Sequence, residues 1–181
     1  CKVVKDLKYS DELQYIVTHK TRNDFISRLC DKLSGNTLCL YQLVEKHGLV
    51  LYNLMKDFDR KVFFIHGGTD TNDREKIRAI TEEQTNAIIV ASYGTFSTGI
   101  NIRNLHNIVF ASPSKSRIRV LQSIGRGLRK SDKGDIQTSL LDIADDFTYK
   151  DNKNFTLNHF LERINIYNEE EFDYEIDRIR I

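Results

Sequence analysis

The residues with the clearest chemical purpose lie in one run, Leu121-Gln122-Ser123-Ile124-Gly125-Arg126-Gly127-Leu128-Arg129-Lys130. On an α-helix Gln122, Arg126 and Arg129 stand at i, i+4 and i+7, so their side chains share one stripe. Ile118, Leu121, Ile124 and Leu128 fall on a neighbouring stripe that would face a core. Two glycines interrupt this helical pattern, each at a cost of about 1 kcal/mol against alanine. Gly125 projects near the boundary between the stripes, where a missing side chain lets another surface approach closely. Two guanidiniums beside such a gap suit an anion held on that other surface, because arginine's planar fork matches phosphate oxygens. A plain basic surface helix is the alternative, and the glutamine and glycine at fixed offsets count against it.

Two further stretches carry groups suited to phosphate. His66-Gly67-Gly68-Thr69 resembles a phosphate cradle but lacks the Gly-x-x-x-x-Gly-Lys-Ser/Thr spacing that holds a nucleoside triphosphate unaided. It is either a strand-to-helix turn that needs a pliant backbone, or a source of N–H and histidine contacts to a nucleic-acid phosphate. Ser92-Tyr93-Gly94-Thr95-Phe96-Ser97-Thr98-Gly99-Ile100-Asn101 offers four Ser and Thr hydroxyls, two glycines and a terminal amide. Hydroxyls and exposed N–H groups at a helix start suit backbone phosphates or ribose. A capped short helix accounts for much of the same pattern.

The elements that must position these groups alternate in type. Thr37–Tyr41, Val62–Ile65, Ala87–Ala91, Asn107–Ala111 and Thr138–Ile143 are short apolar runs, expected as buried strands of a parallel sheet. Helices are expected over Leu43–Phe58, Asp73–Glu83 and Lys115–Arg129, with a short one near Thr95–Thr98. Thr71 or Asn72 would cap the second. Upstream, Asp11–Leu33 reads as one long helix or two, stopping near Gly35. After a polar loop over Asp145–Asn154, Thr156–Tyr167 reads as helix. Phe172, Tyr174 and Ile176 alternate as in a terminal strand. Strand–helix repetition implies a doubly wound α/β sheet with flanking helices, whose ligands gather at the carboxyl ends of the strands. Residues 1–34 read as a helical lead-in or linker, 35–150 as the main domain and 151–181 as a C-terminal extension of helix and strand.

Composition narrows the classes further. At 181 residues, with 40% hydrophobic and 29% charged side chains, the chain has the makeup of an ordinary globular domain with a sizeable core. A net charge of +1 rules out a general polyanion sponge, so nucleic-acid contacts require a local concentration of cations. Lys115, Arg117, Arg119, Arg126, Arg129, Lys130 and Lys133 supply one, around the arginine motif. Cys1, Cys30 and Cys39 have no disulfide or zinc spacing, which suggests a reducing, intracellular (cytoplasmic) setting. No signal peptide or apolar run of membrane-spanning length is present in the sequence, so no membrane partner is expected. A first residue other than methionine suggests a fragment or a processed chain.

In sequence order the parts are strand, His-Gly turn, helix, strand, hydroxyl-rich loop ending Gly99-Ile100-Asn101, strand with Pro113, then Gln-x-x-Gly-Arg-x-x-Arg. This order resembles the second RecA-like domain of superfamily 2 helicases and translocases, over roughly residues 35–181. Gly99-Ile100-Asn101 matches the end of the family's motif V, and Gln122–Arg129 its motif VI. The wording of Ala91–Ile100 and Leu121–Lys130 is most similar to phage recombination helicases. The resemblance implies a RecA-like fold and ATP with Mg2+ as cofactor, held mainly by a first RecA-like domain that would be the partner of this one. It implies that Arg126 and Arg129 are arginine fingers reaching the γ-phosphate, with Gln122 near that phosphate or the attacking water. Gly99, Asn101 and Gly125 would line the nucleotide side, Asn101 standing where the family usually has aspartate. His66, Gly67, Ser92, Thr95 and Lys115 would touch the backbone of single-stranded or branched DNA during recombination, repair or fork processing. The usual motif V threonine falls on Tyr93, leaving open which hydroxyl makes the phosphate contact.

No strand in the sequence runs into an Asp-Glu pair, and Asp11-Glu12 follows a polar stretch and reads as a helix start. No residue here is a candidate for the phosphate-binding lysine or the magnesium-binding carboxylates, so the chain is expected to be inactive as an ATPase alone. Two other classes stay open. A nucleic-acid-binding or interaction module could keep the fold without a motor, and an unrelated α/β enzyme, such as a nucleotide-sugar transferase, could use the same sheet edge.

Overall fold

In the computed structural model the described residues are 8–99, 102, 104–113 and 138–181. Five strands form one parallel sheet: β1 (Thr37–Tyr41), β2 (Lys61–Ile65), β3 (Ala87–Ser92), β4 (Asn107–Phe110) and β5 (Ser139–Asp142). Their spatial order is β2-β3-β1-β4-β5, with every neighbouring pair parallel. The doubly wound α/β expectation holds, and each strand lies within a residue of its expected bounds.

The central strands are buried on both faces, so they carry unbroken apolar runs. Leu38, Leu40, Ile89, Ala91, Ile108 and Phe110 point to one face, where Tyr93, Phe96 and Tyr167 pack on them. Cys39, Tyr41, Ile88, Val90 and Val109 point to the other, against Ile26, Cys30, Leu51 and Met55. The period-2 alternation of side chains thus feeds two cores from one set of strands.

Helices cover both faces. The lead-in forms two helices, α1 (Tyr9–Thr18) and α2 (Lys20–Lys32), broken at His19, whose Nδ1 accepts the Arg22 N–H at 3.3 Å. The chain past α2 turns at Gly35, which has φ +87; a β-carbon there would run into the His106 ring. The single helix expected over Leu43–Phe58 is instead a π-helical turn, Val44–Gly48, followed by α3 (Leu49–Met55). At Gly48 the backbone passes so close to the Tyr41 ring that any side chain would collide with it. α4 (Thr71–Glu83) starts earlier than expected. Its cap is Asp70, whose carboxylate accepts the Asn72 N–H at 2.8 Å, not Thr71 or Asn72. α5 (Tyr93–Gly99) and α6 (Phe155–Glu169) complete the set among the described residues.

The terminal strand expected from Phe172, Tyr174 and Ile176 is not formed. Residues 171–181 pair with no strand, and Tyr174 and Ile176 are exposed. Alternation fits a strand only where a neighbour offers a ladder. The helix expected at Lys115–Arg129 lies outside the described residues.

Candidate nucleic-acid interface

In a parallel sheet the carboxyl ends of the strands converge on one edge. That edge gathers Gln42 after β1, His66–Thr69 after β2, Ser92–Thr95 after β3 and Ser112 after β4.

At the end of β3, Ser92 caps α5. Its Oγ accepts the Thr95 N–H at 3.2 Å and lies 2.7 Å from Thr95 Oγ1. Ser92 is half-buried and Thr95 is buried, so the serine hydroxyl is the outer member of the pair. The family resemblance leaves Tyr93 as a possible phosphate contact, but its side chain turns inward. It is buried against Phe110, with its hydroxyl donating to the Ser112 carbonyl at 2.9 Å. Burial pushes the phenol well above its ordinary range, with the charge of Asp142 adding to the shift. Tyr93 is therefore a protonated tie to the loop after β4, and of the described pair Ser92 and Thr95 the serine is the outer one.

At the end of β2, the His66–Thr69 turn satisfies much of its own backbone. Thr69 N–H donates to the His66 carbonyl, and His66 N–H to Thr69 Oγ1, both at 3.0 Å. Gly68 N–H donates to His66 Nδ1 at 3.1 Å. With Nδ1 accepting, the neutral imidazole carries its proton on Nε2, where it is a hydrogen-bond donor. Arg74 from α4 clamps the turn through the Gly67 carbonyl at 2.9 Å. Space beside Gly67 is open to 4 Å from a notional β-carbon, so an incoming group can approach its backbone. The turn is thus built from within, and the open side of Gly67 and the outer histidine nitrogen take no part in its own hydrogen bonds.

Behind the edge lies a polar layer that the sequence analysis did not single out. Ser112 Oγ accepts the Gln42 N–H at 3.1 Å and lies 2.7 Å from His47 Nδ1. His47 is fully buried; burial first, and the Arg22 charge second, lower its pKa to about 3. Arg22 pairs through Nε with Asp145 at 2.7 Å, while both terminal guanidinium nitrogens are buried without a partner. Tyr41 spans from β1 to the root of the His66 turn, donating to the Ile65 carbonyl at 3.0 Å. At the far end of the sheet Arg163 grips Asp142 with two bonds of 2.6 and 2.8 Å, and Tyr167 donates to the same carboxylate at 2.8 Å. Only Ser112, beside Pro113 at a strand end, had a local signal.

Of the residues expected to act, the structure brings His66, Gly67, Ser92 and Thr95 to one edge. Gly99 closes the α5 backbone. Asn101, Lys115, Gln122, Gly125, Arg126 and Arg129 lie outside the described residues. Among the described residues no group of three or more His, Cys, Asp or Glu could hold a metal ion. No helix among them is long and apolar enough to cross a membrane.

Comparison with known proteins agrees with this architecture. The model of the helicase conserved C-terminal domain matches residues 19–131. The ATP-dependent DNA helicase uvsW of Enterobacteria phage T4 is 35% identical over 191 aligned residues, covering 98% of this chain and 38% of that protein. The crystal structure of T4 UvsW superposes with a TM-score of 0.81, over 97% of this chain and 38% of that one. The C-terminal domain of the DEAD-box protein Dbp5 shares the fold, with a TM-score of 0.61 at 18% identity over 85% of this chain and 82% of that one. The chain therefore spans well under half the length of the phage relative that it matches. Its parallel sheet, the loops on its carboxyl edge and the match over most of its length make this chain a member of the helicase conserved C-terminal domain family, with the RecA-like fold of UvsW.

Proposed function

We propose that this chain is the second motor domain of an ATP-dependent DNA helicase or translocase that works on single-stranded or branched DNA in recombination, repair or fork processing. One observation carries this best: the family match takes in Gln122, Arg126 and Arg129, at the spacing that puts them on one helical stripe. Arg126 and Arg129 act as fingers toward the γ-phosphate of ATP bound by a first RecA-like domain, where such a group contributes about 10³–10⁵ in rate. Gln122 hydrogen-bonds beside them, and Gly99, Asn101 and Gly125 line the nucleotide side. On the DNA side, Ser92 offers its hydroxyl to a backbone phosphate, oriented by Thr95. His66, Gly67 and Lys115 hold neighbouring phosphates. The site residues that the structure describes at this edge, His66, Gly67, Ser92 and Thr95, offer hydroxyls, backbone N–H groups and an imidazole, a donor set suited to phosphate oxygens.

On this reading the chain completes an ATPase without being one. The isolated chain should bind single-stranded DNA in a salt-dependent manner and hydrolyse no ATP above background, with or without DNA. Turnover in a clean preparation that Arg126→Ala abolishes would refute the division of labour. DNA-stimulated ATP hydrolysis without any dependence on Arg126 or Arg129 once a first motor domain is present would favour a binding module.

A further inference from the structure

The segment between β5 and α6 takes no part in the function above, yet it is tightly built and carries aromatic rings. Asp146 Oδ1 accepts the Thr148 N–H, and Asn154 Oδ1 the Phe147 N–H, both at 2.9 Å. Tyr149 and Asn152 exchange two backbone hydrogen bonds of 3.1 Å. Lys150 closes this turn at φ 54, a left-handed conformation uncommon outside glycine and asparagine. A loop held by so many polar bonds needs no aromatic side chain for its own packing. It nevertheless shows Phe147 and Tyr149 to solvent at 45% and 51% exposure.

Tyr15 of α1, 54% exposed, joins them, meeting Phe147 edge-to-face with ring centroids 5.6 Å apart. Lys150 Nζ stands 5.6 Å from the Tyr149 centroid. Both roots of this cluster lie at the carboxyl edge of the sheet. The Arg22–Asp145 pair fixes the loop just past β5 to the start of α2, and Lys46, after β1, bonds Gln14 beside Tyr15. Lys46 and Lys150 are both exposed, as are Lys20 of α2 and Lys153 of the loop. Asp145 is paired with Arg22, and the exposed carboxylates near these lysines in the chain are Glu45, Asp146 and Asp151, of which Asp146 is already offset by the charges of Arg178 and Lys153.

Flat rings flanked by exposed lysines without a carboxylate partner, Lys46 held by the neutral Gln14 and Lys150 over the Tyr149 ring, match a ligand that is both planar and polyanionic. An apolar protein surface would leave those ammonium groups to be desolvated. Stacking on aromatic rings with cations along the backbone is how single strands are held without sequence preference. We propose that Tyr15, Phe147 and Tyr149 form a stacking ledge for the bases of single-stranded nucleic acid, with Lys46 and Lys150 meeting its phosphates. This rests on nucleic acid binding at the carboxyl edge and extends the strand's path to the β5 side.

The chain contains no tryptophan, so Tyr149→Trp installs a single reporter on the ledge. Titration with an oligothymidylate should quench its emission to saturation, with the midpoint moving to higher concentration as salt rises. The Phe147→Ser/Tyr149→Ser double variant should bind the labelled oligonucleotide about tenfold more weakly or worse, at an unchanged melting temperature. Binding that leaves the tryptophan emission unchanged, or a serine variant that binds as well as the parent, overturns the ledge while the motor-domain proposal stands. Loss of association with a protein partner alone, at parental DNA affinity, overturns it in favour of a protein-docking face. No oligonucleotide binding by the parent chain even at low salt overturns both.

Discussion

Replacing Glu12 by glutamine should loosen the join between the first and last helices of the domain. Glu12 is 5% exposed, and its carboxylate serves as the N-terminal cap of α6, which lies more than 140 residues away in the chain. Oε1 accepts the Thr156 N–H at 2.8 Å, the Thr156 hydroxyl at 2.6 Å and Asn154 Nδ2 at 2.8 Å, while Oε2 accepts the Phe155 N–H at 2.9 Å. These backbone donors have no partner inside the helix, and the negative charge also meets the positive end of its dipole. Glutamine keeps the shape but turns one acceptor into an NH2 group facing another donor, and removes the charge. Loss of one bond to a charged group is worth about 1.5–3 kcal/mol. At roughly 2–4 °C per kcal/mol for a domain of this size, a loss near 2 kcal/mol lowers the melting temperature by about 4–8 °C. The pH dependence gives a second check. Burial alone would raise the Glu12 pKa, but bonds from Thr156, Asn154 and the two backbone N–H groups outweigh it and hold the carboxyl below its ordinary value. A depressed folded pKa contributes stability that is complete above the unfolded value, about 4.3, and is lost as pH falls through the folded one. Calorimetry should therefore show the full gap between parent and Glu12→Gln at pH 6–8, and a narrowing gap below about pH 4. A gap under 1 °C at pH 7, or one unchanged down to pH 3, would refute the capping role.

Asn36→Leu should be more damaging still. The fully buried Asn36 amide donates to the carbonyls of Thr81, Gln84 and Asn104 and accepts the Ala87 N–H, tying α4, β3 and the approach to β4 together. Stranding those buried groups costs about 3 kcal/mol, a drop of roughly 6–12 °C by calorimetry, and a fall under 2 °C would count against it. His47, with its pKa lowered to about 3, should keep its imidazole NMR shifts constant between pH 5 and 8. Because the folded value lies below the ordinary 6.5, its contribution to stability is complete above that pH and declines on acidification. A His47 titration midpoint above 5.5 would contradict its burial beside Arg22.

What the sequence made legible follows from what leaves a periodic mark. Strands buried on both faces read as unbroken apolar runs, so all five fell within a residue of their observed bounds. The hydroxyls of Ser92 and Thr95 could be named because they follow such a strand directly. Side-chain bonds between distant segments leave no such mark: nothing near Asn36 announces Thr81 or Asn104, and nothing near Glu12 announces Thr156. The π-helical turn at Val44–Gly48 leaves no periodic mark either, and the fit of Gly48 against the Tyr41 ring is a contact between separate elements. Tyr93 was ambiguous in one dimension, and only its hydrogen bond to the Ser112 carbonyl shows which way it faces. The alternating tail after Phe172 misled because a strand pattern says nothing about whether a neighbour exists.

The arginines of the Gln-x-x-Gly-Arg-x-x-Arg run are proposed to complete a site whose other wall belongs to a partner domain. The most direct measurement is DNA-stimulated ATP hydrolysis by Arg126→Lys and Arg129→Lys in a protein carrying a first RecA-like domain ahead of this chain. Lysine keeps the charge and loses the planar fork, so the account predicts a fall in kcat of roughly 10³ or more for at least one variant, with DNA affinity within about twofold of the parent. Near-parental kcat in both variants would contradict it.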